Sequence, residues 1–445
     1  MKIVRYSGLV ILVTFFLTSN ILAAQFNFTP SISVEEEYSD NIFLAPDGFK
    51  EDDWITRTRL GLTTQLIGRT AGLELIYNPW YEWFKDYDEF NGWNHDGLAR
   101  LWNDFSPNTH LELTNAYLQT RDALASGIST APDDPLVPPS IGVDQTRRGR
   151  SEYRTNVSTI RLDHQFGSED TVYAEYRYSI LRGLESPNFT DDNNIWRPSL
   201  GGTYWFTNFW GMASDLSYSN QKYDVADDRE QWNGRLRLNR RIDRHLDIYA
   251  QYQHTILDYT EGLSTDYDVY QPSVGLNYQY DQNTRIDIGF GWYFINNDSP
   301  LREDDNDFIL TATADKVWPF RSGLFGITLL SGYTIEDQGE QDLGLNIYYE
   351  ASARTEFAFT PRFSATATLG YRYDDYPRAE LGQPDNYKTL TGTAGLEYQA
   401  LRWMFFNLDY RYRDRSSDID FDEYTENRVS FTITLRPDQP FRTSW

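Results

Sequence analysis

Thr171-Val172-Tyr173-Ala174-Glu175-Tyr176-Arg177-Tyr178-Ser179-Ile180 alternates residue by residue. Val172, Ala174, Tyr176, Tyr178 and Ile180 share one side; Tyr173, Glu175, Arg177 and Ser179 share the other. A β-strand sends successive side chains to opposite faces, so the run reads as a strand with one apolar and one wet face. The pattern recurs from Phe26 almost to the end. A soluble sandwich also alternates, but here the connections alternate as well. Tight turns such as Gly68-Arg69-Thr70, Ser106-Pro107-Asn108 and Asp281-Gln282-Asn283 are interleaved with long acidic loops such as 40–53, 121–150, 182–194, 258–268, 336–342 and 414–422. That two-level rhythm describes an all-β chain closed into a single antiparallel transmembrane β-barrel of about 20 strands, with 18 as the alternative. An even count puts both termini on the short-turn, periplasmic side.

Composition agrees. Lys2 and Arg5 precede the apolar run Gly8–Leu17 and the segment Ile21-Leu22-Ala23-Ala24. This reads as a secretory signal peptide over 1–24, with the barrel domain over 25–445. The run falls short of the ~20 apolar residues of a membrane helix, so crossing must be by strands. There is no cysteine, and aromatics reach 16 %, with 32 Tyr and 13 Trp, as expected where rings sit at lipid headgroups. The mean hydropathy of -0.61 is compatible with a barrel, since only alternate strand residues face lipid. The net charge of -26 argues against a nucleic-acid partner. Its concentration in the long loops points to an outer-membrane protein whose partners are lipid and lipopolysaccharide.

Late strands mark the lipid face most clearly. Ile286, Ile288, Phe290, Trp292 and Phe294 oppose Arg285, Asp287, Gly289 and Gly291. The last strand, 423–436, turns Val429, Phe431, Ile433 and Leu435 outward and is followed by a tail from Pro437. The same parity places a charged set inside: Arg57, Arg59, Glu74, Glu112, Glu175, Arg177, Arg197, Arg235, Arg237, Asp247, Arg285, Asp287, Glu350, Arg354, Arg372, Glu397, Asp409 and Arg411. These either line a path for polar solutes or satisfy one another and hold the barrel's shape. The third long loop, 121–150, carries Pro132, Pro135, Pro138 and Pro139. It either enters and narrows the bore or stays outside.

Catalysis finds little support. The five histidines are His95, His110, His164, His245 and His254; none pairs at metal spacing, and no serine sits in a nucleophile elbow. His254 with Asp258 is a local candidate and reads as an interface histidine. Asp418-Ile419-Asp420-Phe421-Asp422 lacks the glycine and terminal glutamate of a calcium loop. The expectation is a non-enzyme without cofactor or metal.

The segment Pro30-Ser31-Ile32-Ser33-Val34-Glu35-Glu36-Glu37-Tyr38-Ser39-Asp40-Asn41-Ile42-Phe43-Leu44, then Asp53-Trp54-Ile55-Thr56 and Leu73-Glu74-Leu75-Ile76-Tyr77-Asn78-Pro79, carries a further pattern. It resembles an outer-membrane, porin-like β-barrel family encoded with exopolysaccharide export and exosortase (PEP-CTERM) systems. The resemblance spans about the first fifth of the chain and architecture alone thereafter. It implies a channel for an exopolysaccharide or similar polymer, with a periplasmic export partner, and no catalytic residues. A structural or surface-interaction barrel and a general small-solute porin stay open beside it. No plug domain is expected, because the chain enters its first strand directly.

Overall fold

The computed structural model describes residues 25–122, 150–185, 192–260, 265–298, 304–338, 341–377 and 386–444. Residues 1–24, read above as a signal peptide, and most of the segment 121–150, read as the third loop, lie outside them. The strands are β1 Gln25–Ser39, β2 Asp53–Ile67, β3 Ala71–Tyr77, β4 Trp80–Phe84, β5 Gly92–Ser106, β6 Thr109–Thr120, β7 Tyr153–Gln165 and β8 Thr171–Gly183. They continue with β9 Asn193–Trp205, β10 Trp210–Tyr223, β11 Arg229–Arg241, β12 Leu246–Tyr259, β13 Tyr267–Asp281, β14 Thr284–Asn297 and β15 Asp305–Phe320. The rest are β16 Gly323–Gln338, β17 Gln341–Thr360, β18 Phe363–Asp375, β19 Asn386–Leu401, β20 Met404–Ser417, β21 Tyr424–Leu435 and β22 Phe441–Ser444.

Each crossing pairs antiparallel with the next along the chain, and β21 pairs with β1, which closes the barrel. β3 and β4 are one crossing. Pro79 lacks the backbone donor a ladder needs, yet the register against β2 and β5 continues unbroken across it. β22 is no crossing: Phe441–Ser444 pairs with Gln25–Phe28 and completes the seam below β21. The wall therefore has 20 crossings. The tail after Pro437, read from sequence as an appendage, is part of that seam.

The alternation maps onto the two faces as expected. On β14, Phe290, Trp292 and Phe294 are exposed outward, as are Val274, Leu369, Tyr371, Val429 and Phe431 on their strands. Phe290 stands opposite Val274 on one side and Leu310 on the other. Phe290→Arg should therefore cost about 2–4 kcal/mol, the penalty for a cation at mid-bilayer on a barrel's lipid face. Arg177→Ala on an inner face should refold normally. Folding into vesicles, followed by heat-modifiable gel mobility, measures both; equal defects would reverse the assigned faces.

Pairing between chain neighbours is interrupted at the upper end of β15 and β16. β15 and β16 pair only from Phe320/Gly323 up to Ala312/Ser331. Above that point Asp305–Thr311 forms ladder pairs with β14 alone, while Gly332–Gln338 continues to pair with β17. The segment 336–342, expected as an acidic loop, is instead the end of this longer hairpin.

Candidate functional site: the lumen

The upper β16–β17 hairpin lies inside the bore. Adjacent strands are ~4.8 Å apart, so β12 and β16, four steps apart, are separated by roughly 19 Å along the wall. Yet the Tyr333 hydroxyl on β16 lies 3.3 Å from Thr255 Oγ1 on β12. Tyr333, Leu345, Ile347 and Tyr349 pack with Leu257, Tyr267, Val269, Tyr293, Ile295 and Ile309, the inner faces of β12–β15. Ile295 and Val269 are 1 % and 0 % exposed, although their neighbours Phe294 and Tyr270 point the other way. Below Ser331 the same hairpin face carries lipid-exposed Ile327 and Leu329. It passes from meeting lipid to meeting the barrel's own inner wall. Burial of these apolar side chains away from lumen water drives the inward bend.

A charged cluster occupies the long-loop end beside the seam. Arg57 reaches Glu35 at 2.6 Å, Glu37 at 2.8 Å and Glu82 at 2.6 Å. Arg428 binds Glu426 and lies 3.1 Å from Asp122 and 3.7 Å from Glu37; Arg411 lies 3.4 Å from Glu426. Arg150 donates from Nε to the Ile42 carbonyl at 3.1 Å and sits over the Phe84 ring. Burial alone would raise the Asp122 carboxyl; the guanidinium groups of Arg428, Arg150, Arg57 and Arg411 outweigh it and hold the group well below the usual carboxylate range. Asn41 donates to the Ala45 and Thr425 carbonyls at 2.7 and 2.9 Å, and Asp40 accepts from Asn427. The acidic motif after Pro30 thus ties the first loop to the closing strand.

The 18 charged residues assigned inside alternate along their strands with the exposed apolar residues. Arg59 stacks over Trp80, Glu74 accepts from Gln65, and Arg100 binds Glu112 at 2.6 Å. Arg161 bonds Glu175; Arg235 pairs with Asp215, Arg237 with Asp287, Arg241 with Asp247, and Arg285 with Asp315. Arg354 pairs with Glu356, and Arg372 spans Glu350 and Asp374. Glu397, Asp409 and Arg411 continue the inner rows of β19 and β20. Arg177 and Arg197 stand directly opposite one another, both exposed to the bore and with no ion pair among the described residues.

Sequence reading missed much of the acidic half of this lattice, including Glu37, Glu82, Asp215, Asp315, Asp374 and Glu426. It also missed Arg413, and Arg415 because the segment read as the loop 414–422 begins as strand that runs on to Ser417. Their parity was available, since both extend the row of Asp409 and Arg411. His254 does not meet Asp258; it stacks on Tyr270 at 4.3 Å and lies 3.8 Å from Asp268. Asp422, within the acidic triplet, accepts from the Tyr387 hydroxyl.

Residues 226–437, just under half the chain, match the family model described as "Putative beta-barrel porin 2". No curated protein matches. Among solved structures, Pseudomonas aeruginosa OpdQ aligns at 11 % identity and TM-score 0.39, covering 92 % of this chain and 98 % of that one. P. aeruginosa OccK2 (OpdF) in complex with glucuronate aligns at 13 %, 0.39, 92 % and 98 %. The P. aeruginosa ferric enterobactin receptor PfeA aligns at 9 %, 0.49, 92 % and 81 %. Likeness at this level says nothing about solute. The closed wall, its apolar outer belt and the family match define a porin-like barrel of the bacterial outer membrane.

Proposed function

We propose that this barrel is a passive channel for small hydrophilic solutes, its bore lined by the inner charged rows and narrowed by the β16–β17 hairpin. The observation that carries the reading is the wall itself. Barrels of roughly 16–18 strands already leave an aqueous channel, and here 20 crossings present a charged, hydrogen-bonding inner belt below the hairpin. A closed structural barrel would fill that belt with apolar side chains. Export of an exopolysaccharide, which the N-terminal resemblance implies, asks for a bore open to a continuous chain and so for displacement of the hairpin.

Planar-bilayer recording tests the channel, and the Arg177–Arg197 pair tests the path. Like charges opposed across a strand pair repel, so the pair is a local attractor for anions. Arg177→Glu with Arg197→Glu reverses that local charge. The reversal potential in a salt gradient should move toward cation preference, most strongly at low salt, because screening acts within ~8 Å at physiological ionic strength. An unmoved potential would take the pair off the path. A barrel that passes no current, while sugars and ions enter vesicles no faster than in its absence, would leave the structural reading standing.

A further inference from the structure

Beneath the inward hairpin the lumen wall forms an open-sided cavity of about 390 Å³, inside the ~300–1,000 Å³ range of small-molecule sites. Its charges are neutralised in place. The guanidinium groups of Arg235, Arg237 and Arg285 line it, and each is held by a carboxylate: Asp215 at 2.5 Å, Asp287 at 2.7 Å and Asp315 at 2.9 Å. Three cations against three anions leave no net charge to attract an ion. They leave a wall of oriented donors and acceptors.

Arg237 shows how firmly that wall is set. Its Nε donates to Gln251 Oε1 at 2.7 Å, and its guanidinium lies 3.8 Å from the centre of the Tyr249 ring. The Tyr249 hydroxyl in turn donates to Asp287 at 2.7 Å, and Asn277 donates to the same carboxylate at 3.2 Å. The ring lies flat on the wall because Gly275 and Gly289 leave room for it; a Cβ there would come within 2.4 and 2.8 Å of Tyr249 atoms. Partners fixed in this way hold a binding group at one orientation before any ligand arrives.

One group in the cavity has no partner. Gln271 lines it, is 1 % exposed, and its Nε2 makes no hydrogen bond. A buried amide donor left unmade is unfavourable unless something else accepts from it. Tyr333 also lines the cavity and brings an aromatic ring beside these polar groups. We propose that this cavity is a binding subsite for a neutral, polyhydroxylated solute of mono- or disaccharide size. Hydroxyl groups both donate and accept, so one such molecule can take the Gln271 and guanidinium donors and give to Asp287. Its C–H face can lie against Tyr333. A carboxylate would meet Asp287, whereas an apolar solute would strand every polar group in the lining. The proposal deepens the channel reading by naming what the lumen holds.

Calorimetric titration of the detergent-solubilised full chain tests it, with maltose and glucuronate as probes. Saturable maltose binding is expected, tighter than that of glucuronate. Gln271→Leu keeps the volume and removes the unpaired donor, so the barrel should still fold, and maltose affinity should fall by about tenfold or more, the scale of a lost buried hydrogen bond. Thr313→Val, also in the lining, is the second variant and should weaken binding in the same direction. Tighter glucuronate than maltose binding, no saturation with either sugar, or affinity unchanged in both folded variants overturns the subsite. Titration needs no ion flow. Binding in a barrel that passes no current would sink the channel reading alone, and current without binding would sink the subsite alone.

Discussion

Replacing residues 332–348 by an Asn-Gly turn joining Ser331 to Tyr349 should raise single-channel conductance several-fold. Ser331 and Tyr349 are already directly paired, and Asn-Gly is a favoured two-residue hairpin turn. The excision costs the wall little, because β15 makes no ladder bonds to β16 over Asp305–Thr311. What it removes is the element that crosses the bore to Thr255 and covers Leu257, Val269, Ile295 and Ile309. Those inner faces would then meet water, so some loss of stability is expected beside the conductance gain. Planar-bilayer recording at matched salt measures the effect. Unchanged conductance would place the constriction elsewhere and return attention to the third loop, 121–150.

The same hairpin marks where sequence reading stopped. Two-residue alternation made the strands, the lipid face and the count of crossings legible, because the requirement that one face meet lipid acts on every strand separately. Tyr333, Leu345 and Ile347 obey the same alternation, yet their apolar face meets the opposite inner wall rather than lipid. A one-strand pattern cannot distinguish two apolar surroundings. The clue lay across strands: Tyr293-Phe294-Ile295 breaks the alternation, and Val269 and Ile309 add apolar residues to inner faces. Inner apolar patches at one height on several strands must be covered by something in a water-filled bore. The charged rows were legible for the complementary reason, since a charge on a barrel strand belongs inside. Which charges pair was not, because pairing depends on register and on loops, as with Arg428 and Asp122 at the mouth.

Arg57→Met should destabilise the barrel by about 3–5 kcal/mol, the scale for removing one partner of a buried ion pair. Arg57 stands opposite Glu35 on β1 and Glu82 on β4 and also reaches Glu37. The Glu82 and Glu37 side chains are only 2 % and 9 % exposed. Without the guanidinium, three carboxylates face one another where little water can screen them, and the loss falls on the β1–β2 pair beside the seam. Arg57→Lys retains a charge but not the planar fork that spans several acceptors, so an intermediate loss is expected. Arg161→Met supplies the contrast. Its carboxylate partners Asp163 and Glu175 are 41 % and 24 % exposed, and such solvated pairs contribute about 0–1 kcal/mol. Urea titration of the vesicle-folded protein ranks the three variants. A ranking with Arg161→Met at or above Arg57→Met would mean that the mouth cluster is solvated, and that hydrogen bonding along the strands, rather than this cluster, holds the seam.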